Sequence, residues 1–222
     1  MNPDWPLAKK SMNFRVGAAL AAIADYRGQG RSYNLGLPLL PLLLASLAGN
    51  AAAVEFNQVQ TDKSTLSFGY KQMGVPSDGK FRQFAAAIAF DPAKPAAATT
   101  QLEIDLASID TGSKEGNDEV AGKQWFNVKS FPTAKFVSSS VKPLGGNRYE
   151  VAGKLTLKGK TQAVSAPFTV KQEGAVAVFD GGFTLKRLDY AIGEGPWADV
   201  GTVANEVQIT FHVVAGAAPA KK

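Results

Sequence analysis

Between Val54 and Val214 apolar and polar residues alternate with a period of two, in one segment after another. In Thr65-Leu-Ser-Phe-Gly-Tyr70 the residues Leu66, Phe68 and Tyr70 share one face. Leu102, Ile104 and Leu106 oppose Gln101, Glu103 and Asp105, and Val207, Ile209, Phe211 and Val213 line the inner side of the last segment. A two-residue period is the signature of an extended strand with one buried face, and no helix satisfies it. About eight such segments at short spacing predict an all-β domain whose apolar faces need cover. Either a second sheet or closure into a barrel supplies it, and the pattern alone leaves both open. An eight-stranded barrel has an interior sized for side chains or for one small ligand.

Local signals divide the segments. Val75-Pro-Ser-Asp-Gly79 reads as a turn or short loop, and Asp91-Pro-Ala-Lys-Pro95 as another loop. Leu144-Gly-Gly-Asn147 and Lys158-Gly-Lys160 read as hairpin turns. In Lys80–Phe90, Phe84, Ala86, Ile88 and Phe90 keep one phase and Phe81 breaks it, so one extra residue at Arg82 or Gln83 is expected, as in a β-bulge. Gly181-Gly182 marks a sharp bend in its strand. Gly112–Trp125 lacks alternation, and Ser113 or Asn117 can cap a short helix there, the one helix expected.

The first 53 residues have a different character. Leu35–Ala48 is an apolar run broken by two prolines, shorter than the roughly 20 residues of a membrane-spanning helix. Basic residues (Lys9, Lys10, Arg15, Arg27, Arg31) precede it, and Ala51 and Ala53 follow with the small-x-small spacing of a cleavage site. Residues 1–53 are therefore expected to be a basic leader and signal peptide cut after Ala53, with export to the periplasm. Residues 54–214 would form the folded domain, and 215–222, small and basic, a disordered tail.

Of 24 basic and 19 acidic residues, five basic and two acidic ones lie in the leader, so the remainder is near neutral. No basic block fits nucleic acid. Without cysteine the chain has no disulfide or thiolate chemistry, and with His212 as its one histidine a transition-metal site has too few ligands. His212 lies between inward Phe211 and Val213 and so points to solvent. Asp105, Asp110, Glu115, Asp118 and Glu119 lack the spacing of a calcium loop. Gly193-Glu-Gly-Pro-Trp-Ala-Asp199 is not a phosphate loop; it predicts a stiff turn whose Trp197 either packs as an ordinary loop side chain or folds over a barrel end. What remains is a dense aromatic inventory, with the small inward residues Ala86, Gly153 and Ala166 leaving room between large neighbours. Such aromatics serve either as a filled core or as the wall of an apolar pocket.

Several stretches in order resemble the YceI-like family: Leu66–Gly74, Gly79–Ala85, Phe90-Asp-Pro92, Ile104–Gly112, the aromatic-proline stretch Trp125–Phe136, and Tyr149–Gly159. The resemblance implies an eight-stranded antiparallel, lipocalin-like barrel with a long apolar tunnel. It further implies an exported, non-enzymatic binding protein for a polyisoprenoid or another long-chain amphiphile (isoprenoid, quinone or fatty-acid-like lipid), with links to stress responses. By position it assigns the ligand-binding wall to Phe68, Phe81, Phe84, Ile88, Leu102, Ile104, Trp125, Phe126, Phe136, Leu155, Phe168 and Phe183. No catalytic residue, metal or resident cofactor is expected. A transient contact with a membrane or membrane protein, and a homodimer, are compatible with it. Many members carry Asp-x-His-Leu before the aromatic pair, where this chain has Asn117-Asp-Glu-Val-Ala121 without histidine, and the segment from Leu188 to Val203 is short. A differently shaped entrance follows. The alternative reading is a secreted β-domain with a filled core, acting as a protein-interaction or stress-response module.

Overall fold

The computed structural model describes residues 54–218, and the expected leader, its cleavage site and residues 219–222 lie outside them. Eleven strands follow in chain order: β1 (Phe56–Val59), β2 (Thr65–Gln72), β3 (Val75–Phe81), β4 (Phe84–Ala89), β5 (Thr99–Asp105), β6 (Ile109–Asp110), β7 (Thr133–Gly145), β8 (Arg148–Leu157), β9 (Lys160–Glu173), β10 (Val176–Lys186) and β11 (Glu206–Ala217). All pairings are antiparallel, in the order β4-β5-β7-β8-β9-β10-β11-β2-β3-β6, with β1 also on β11. The expected count of eight differs from eleven because three strands are interrupted. A 3-10 turn at Thr61–Lys63 parts β1 from β2, and both pair with β11. Arg82 and Gln83 part β3 from β4, and a 3-10 turn at Leu106–Ser108 parts β5 from β6. Counted as continuous courses, these give an eight-stranded meander. Its first and last courses close the barrel, β1 and β2 both pairing with β11, and β1 is tied to the end of β4 where the Phe56 N–H donates to the Phe90 carbonyl at 2.9 Å and the Phe90 N–H donates back at 3.2 Å.

The phase break between Phe81 and Phe84 is thus a bend at which the chain changes partners. It is pinned by Arg82 N–H to the Ser108 carbonyl (3.1 Å) and Gln83 N–H to Ser108 Oγ (3.0 Å). Two assignments from the sequence are corrected. Val75–Gly79 is strand, and the turn is Met73-Gly74, both at positive φ (49° and 79°). Pro76 is tolerated because β3 meets β6 only at Lys80 and Phe81, so the missing N–H falls on an unpaired edge. The tail does not begin at 215: Ala215 and Gly216 pair with β10 and β1, and Ala215 is fully buried. Residues this small let β1 lie close across the end of the barrel.

Gly181-Gly182 does not break β10, whose ladder with β11 runs from Val176 to Lys186. The expected irregularity lies on its other side, where pairing with β9 stops at Phe168–Gly181, next to Pro167, which has no N–H to offer. A Cβ at residue 181 would come within 2.6 Å of the Phe168 and Phe211 side chains.

The helix α1 (Lys114–Ala121) forms as expected, with Ser113 at its N-cap accepting from the Gly116 N–H at 3.0 Å. With the segment from Arg187 to Asn205 it covers the end of the barrel that carries the Met73-Gly74 and Lys158-Gly159 turns. The opposite end, where β1 and β11 meet, is closed by Phe56, Phe90, Tyr149, Phe168 and Phe179. Phe90 meets both Tyr149 and Phe179 edge-on, with centroids 5.3 Å apart in each case.

Candidate functional site: an apolar cavity inside the barrel

The inward residues at mid-height of the barrel do not meet. Phe84, Ile88, Leu102, Phe136, Phe183 and Ile209 face inward from β4, β5, β7, β10 and β11, yet each is only half-buried. A side chain on the inner face that still has free surface must look onto space. That space is a cavity of about 680 Å³, within the size range of small-molecule sites.

All twelve residues assigned by resemblance border this cavity. Phe84, Ile88, Leu102, Ile104 and Phe136 form one wall on β4, β5 and β7, and Leu155, Phe168 and Phe183 the facing wall on β8, β9 and β10. Phe68 (β2), Phe81 (β3) and Phe126 make an aromatic strip toward α1, with centroid separations of 5.4 Å for Phe68–Phe81 and 6.4 Å for Phe81–Phe126. Trp125 closes the covered end and packs on Trp197 at 5.5 Å, so Trp197 does fold over that end. Gly153 departs from expectation. It does not leave room, because the Phe136 ring lies across it: a Cβ there would come within 2.6 Å of Phe136 Cε2 and Cζ.

Most of the polar lining lies on one side, with Thr65 at the start of β2 and Thr100 at the start of β5 apart from it. Gln72 and Ser77 come from the β2–β3 hairpin, and Thr111, Ser113 and Glu119 from α1 and its approach. Gln72, Ser113 and Glu119 are exposed to solvent, so the mouth lies beside α1 at the same end of the barrel that α1 and the Arg187–Asn205 segment partly cover. Thr111 Oγ1 donates to Asn117 Oδ1 at 2.8 Å, fixing the strand-to-helix corner.

Beneath the cavity lies a residue that sequence reading did not single out. Arg187 is 2 % exposed and spends its guanidinium on backbone carbonyls. Nε donates to Ala204 (3.1 Å), Nη1 to Ile192 (2.8 Å) and Gly193 (3.0 Å), and Nη2 to Trp197 (2.7 Å) and Val203 (2.7 Å). Burial pushes its pKa down from the ordinary value. Lys158, also buried, donates to the Ala191 carbonyl at 2.6 Å and to Glu194 Oε2 at 2.8 Å. Together the two cations tie the Arg187–Asn205 segment onto the barrel. His212 Nδ1 lies 2.6 Å from Asp180 Oδ1 on the outer face, away from the cavity. Among the described residues no group of three or more His, Cys, Asp or Glu is placed to hold a metal ion.

Comparison with known proteins agrees with this architecture. The profile of the YceI-like domain matches residues 58–215. A UPF0312 protein of Yersinia pestis is 30 % identical over 187 residues, covering 81 % of this chain and 94 % of the relative. One from Azotobacter vinelandii is 33 % identical over 141 residues, covering 61 % and 71 %. The crystal structure of Burkholderia cenocepacia BcnA aligns with a TM-score of 0.70 and 51 % identity, over 71 % of this chain and 99 % of that one. A polyisoprenoid binding domain from Saccharophagus degradans, at 17 % identity, aligns with a TM-score of 0.58 over 75 % of this chain and 99 % of its own, a likeness of fold. This chain belongs to the YceI-like family.

Proposed function

We propose that this protein is an exported, periplasmic binding protein that holds the hydrocarbon chain of an isoprenoid or similar amphiphile inside its barrel. One observation carries the reading: Phe84, Phe136 and Phe183 turn inward but face about 680 Å³ of empty space rather than one another. A domain whose sole need was a core would close that space, since dispersion contacts are lost around every void. The hollow therefore counts against the filled-core alternative. The fold shared with a polyisoprenoid binding domain supports the same reading, as does the leader expected from the sequence.

The mechanism is transfer out of water. Each methylene that enters the cavity contributes about 0.8 kcal/mol, so ten outweigh a loss of association entropy of several kcal/mol. The walls are mostly preformed by strand pairing, so little ordering cost is added. No bond is made or broken in this scheme. Native mass spectrometry of the protein purified from its own host tests it. A co-purifying amphiphile of discrete mass is expected; an apoprotein that also takes up no added isoprenoid would sink the reading.

A further inference from the structure

The apolar side chains that the barrel leaves most open to water are not scattered. Among the described residues the most exposed large apolar ones are Met73 (75 %), Val75 (63 %) and Val200 (55 %), and all three stand at the rim of the mouth. Met73 and Gly74 form the turn between β2 and β3, flanked by the pair Gln72–Val75, and Gln72 itself borders the cavity. Every residue from Lys71 to Pro76 is exposed, so the hairpin tip projects from the barrel end. The turn carrying Val200 is strapped to it: the Met73 N–H donates to the Thr202 carbonyl at 2.9 Å, and Gln72 bridges Val203. The Asp199 carboxylate accepts from the Gly201 and Thr202 N–H groups at 3.2 and 3.0 Å and fixes that turn with Val200 outside. Apolar side chains gathered at an opening mark a contact site rather than ordinary surface.

Resting on the reading of the cavity as a lipid site, we propose that this rim docks on a zwitterionic phospholipid bilayer. Met73, Val75 and Val200 dip into the acyl boundary, and a hydrocarbon chain passes between membrane and cavity without crossing water. The charges around the patch choose that partner. Lys71, Lys80 and Lys123 are exposed and, among the described residues, in no ion pair; the exposed carboxylates of Asp78, Glu115 and Glu119 are unpaired in the same sense. Asp199, which holds its own turn, adds a further negative charge, and Asp118 is matched by Lys114. An anionic bilayer would attract these lysines and repel these carboxylates. A zwitterionic headgroup carries a phosphate and an ammonium in one molecule, so both sets find a partner. The apolar side chains then supply the attachment, which scales with the apolar area they bury. A patch this small gives weak, reversible docking, as a carrier that leaves with its cargo requires.

Flotation with extruded vesicles of phosphatidylcholine and phosphatidylethanolamine tests the proposal. The protein should float with them, and added salt should change little. Met73→Glu, Val75→Glu and Val200→Glu should each lower the partition coefficient about tenfold, the scale of withdrawing one such side chain from the acyl boundary. Leu144→Glu should leave it unchanged, because Leu144 is also exposed but lies at the base, where its neighbour Pro143 pairs with Tyr149. A fluorescent isoprenoid loaded into the protein should pass to the vesicles more slowly from the rim variants. Its affinity measured without vesicles, and the melting temperature, should stay as in the parent. A parent that does not float, that floats only when anionic phosphatidylglycerol is added, or that the rim variants match would overturn the docking surface and leave the cavity standing. A parent that floats, loses flotation in the rim variants and yet takes up no isoprenoid would keep the docking surface and sink the cavity reading.

Discussion

The guanidinium carbon of Arg187 stands 5.6 Å from the centroid of the Trp125 ring, while its N–H groups reach five carbonyls of the Ile192–Ala204 segment. The cation thus joins the indole that closes the cavity to the segment that covers it. Its partners are five carbonyl oxygens shared among Nε, Nη1 and Nη2, a spread of acceptors that a guanidinium can reach and an ammonium cannot.

Arg187→Lys should therefore be far from conservative. Lysine offers three donors from one point and leaves carbonyls buried without partners, each costing on the order of 1–3 kcal/mol. A loss of about 3 kcal/mol is expected, read as a melting temperature lowered by roughly 10 °C. A melting temperature within 2 °C of the parent, a margin of about half a kcal/mol, would contradict this account of the segment's anchoring.

Tyr190 offers the opposite case. It is 2 % exposed, and among the described residues its hydroxyl has no hydrogen-bond partner. Burial, helped by Asp189, pushes its pKa up to about 12, so the phenol stays neutral. Tyr190→Phe removes an unsatisfied polar atom and keeps the ring. Thermal melting should show no loss and up to about 1 kcal/mol of gain; a clear loss would mean that the hydroxyl has a partner after all.

The Phe136–Gly153 stack sets the width of the cavity. Gly153→Val places a branched side chain where a Cβ alone would lie 2.4 Å from the Val137 carbonyl oxygen and 2.6 Å from the ring. The ring has to swing into the hollow. A cost of about 2 kcal/mol in stability and a fall in isoprenoid capacity should appear together in melting and titration. Phe136→Asp or Phe84→Asp should abolish binding by introducing a charge into the apolar wall, while the strand pattern in circular dichroism persists. Binding that survived both would refute the assignment of the wall.

Acid should loosen the covered end first. Lys158 hydrogen-bonds Glu194 and attracts it, and Lys160 adds to the attraction, so the Glu194 carboxyl lies below its ordinary 4.5. Hydrogen bonds from Thr202 and Gly201 hold Asp199 below its ordinary 3.8 in the same way. A depressed carboxyl adds stability that is complete above its unfolded value and is lost as pH falls through the folded one. Stability should thus be level in pH through the neutral range and decline below about pH 4.5. Glu194→Gln should flatten part of that decline, whereas an unchanged acid limb would show that the Lys158 pair contributes nothing.

Much of the barrel was legible from the two-residue period, because each inward position must be apolar wherever it stands. The helix was legible from the loss of that period and from Ser113. Val75–Gly79 misled because proline, serine, aspartate and glycine favour turns locally, whereas a strand paired on one side tolerates all of them. Ala215–Ala217 misled because small residues at a chain end look slack until another strand lies across them. Arg187 was illegible for a different reason: a buried cation satisfied by carbonyls from a distant loop leaves no charge partner in the sequence. The cavity itself was beyond periodicity, which tells which side chains turn inward but not whether they touch.

The described chain begins and ends at one rim. Phe56 pairs with Ala217, and the Ala218 N–H donates to the Glu55 carbonyl at 2.8 Å. That rim is the aromatic-stoppered one, across the length of the barrel from Gln72 and Glu119. A tag, tether or neighbouring domain joined at either terminus would therefore hang from the base and leave the opposite opening unobstructed. A short linker bridging the two termini, with new ends cut at Gly146-Asn147, should give a permuted protein that keeps the same interior.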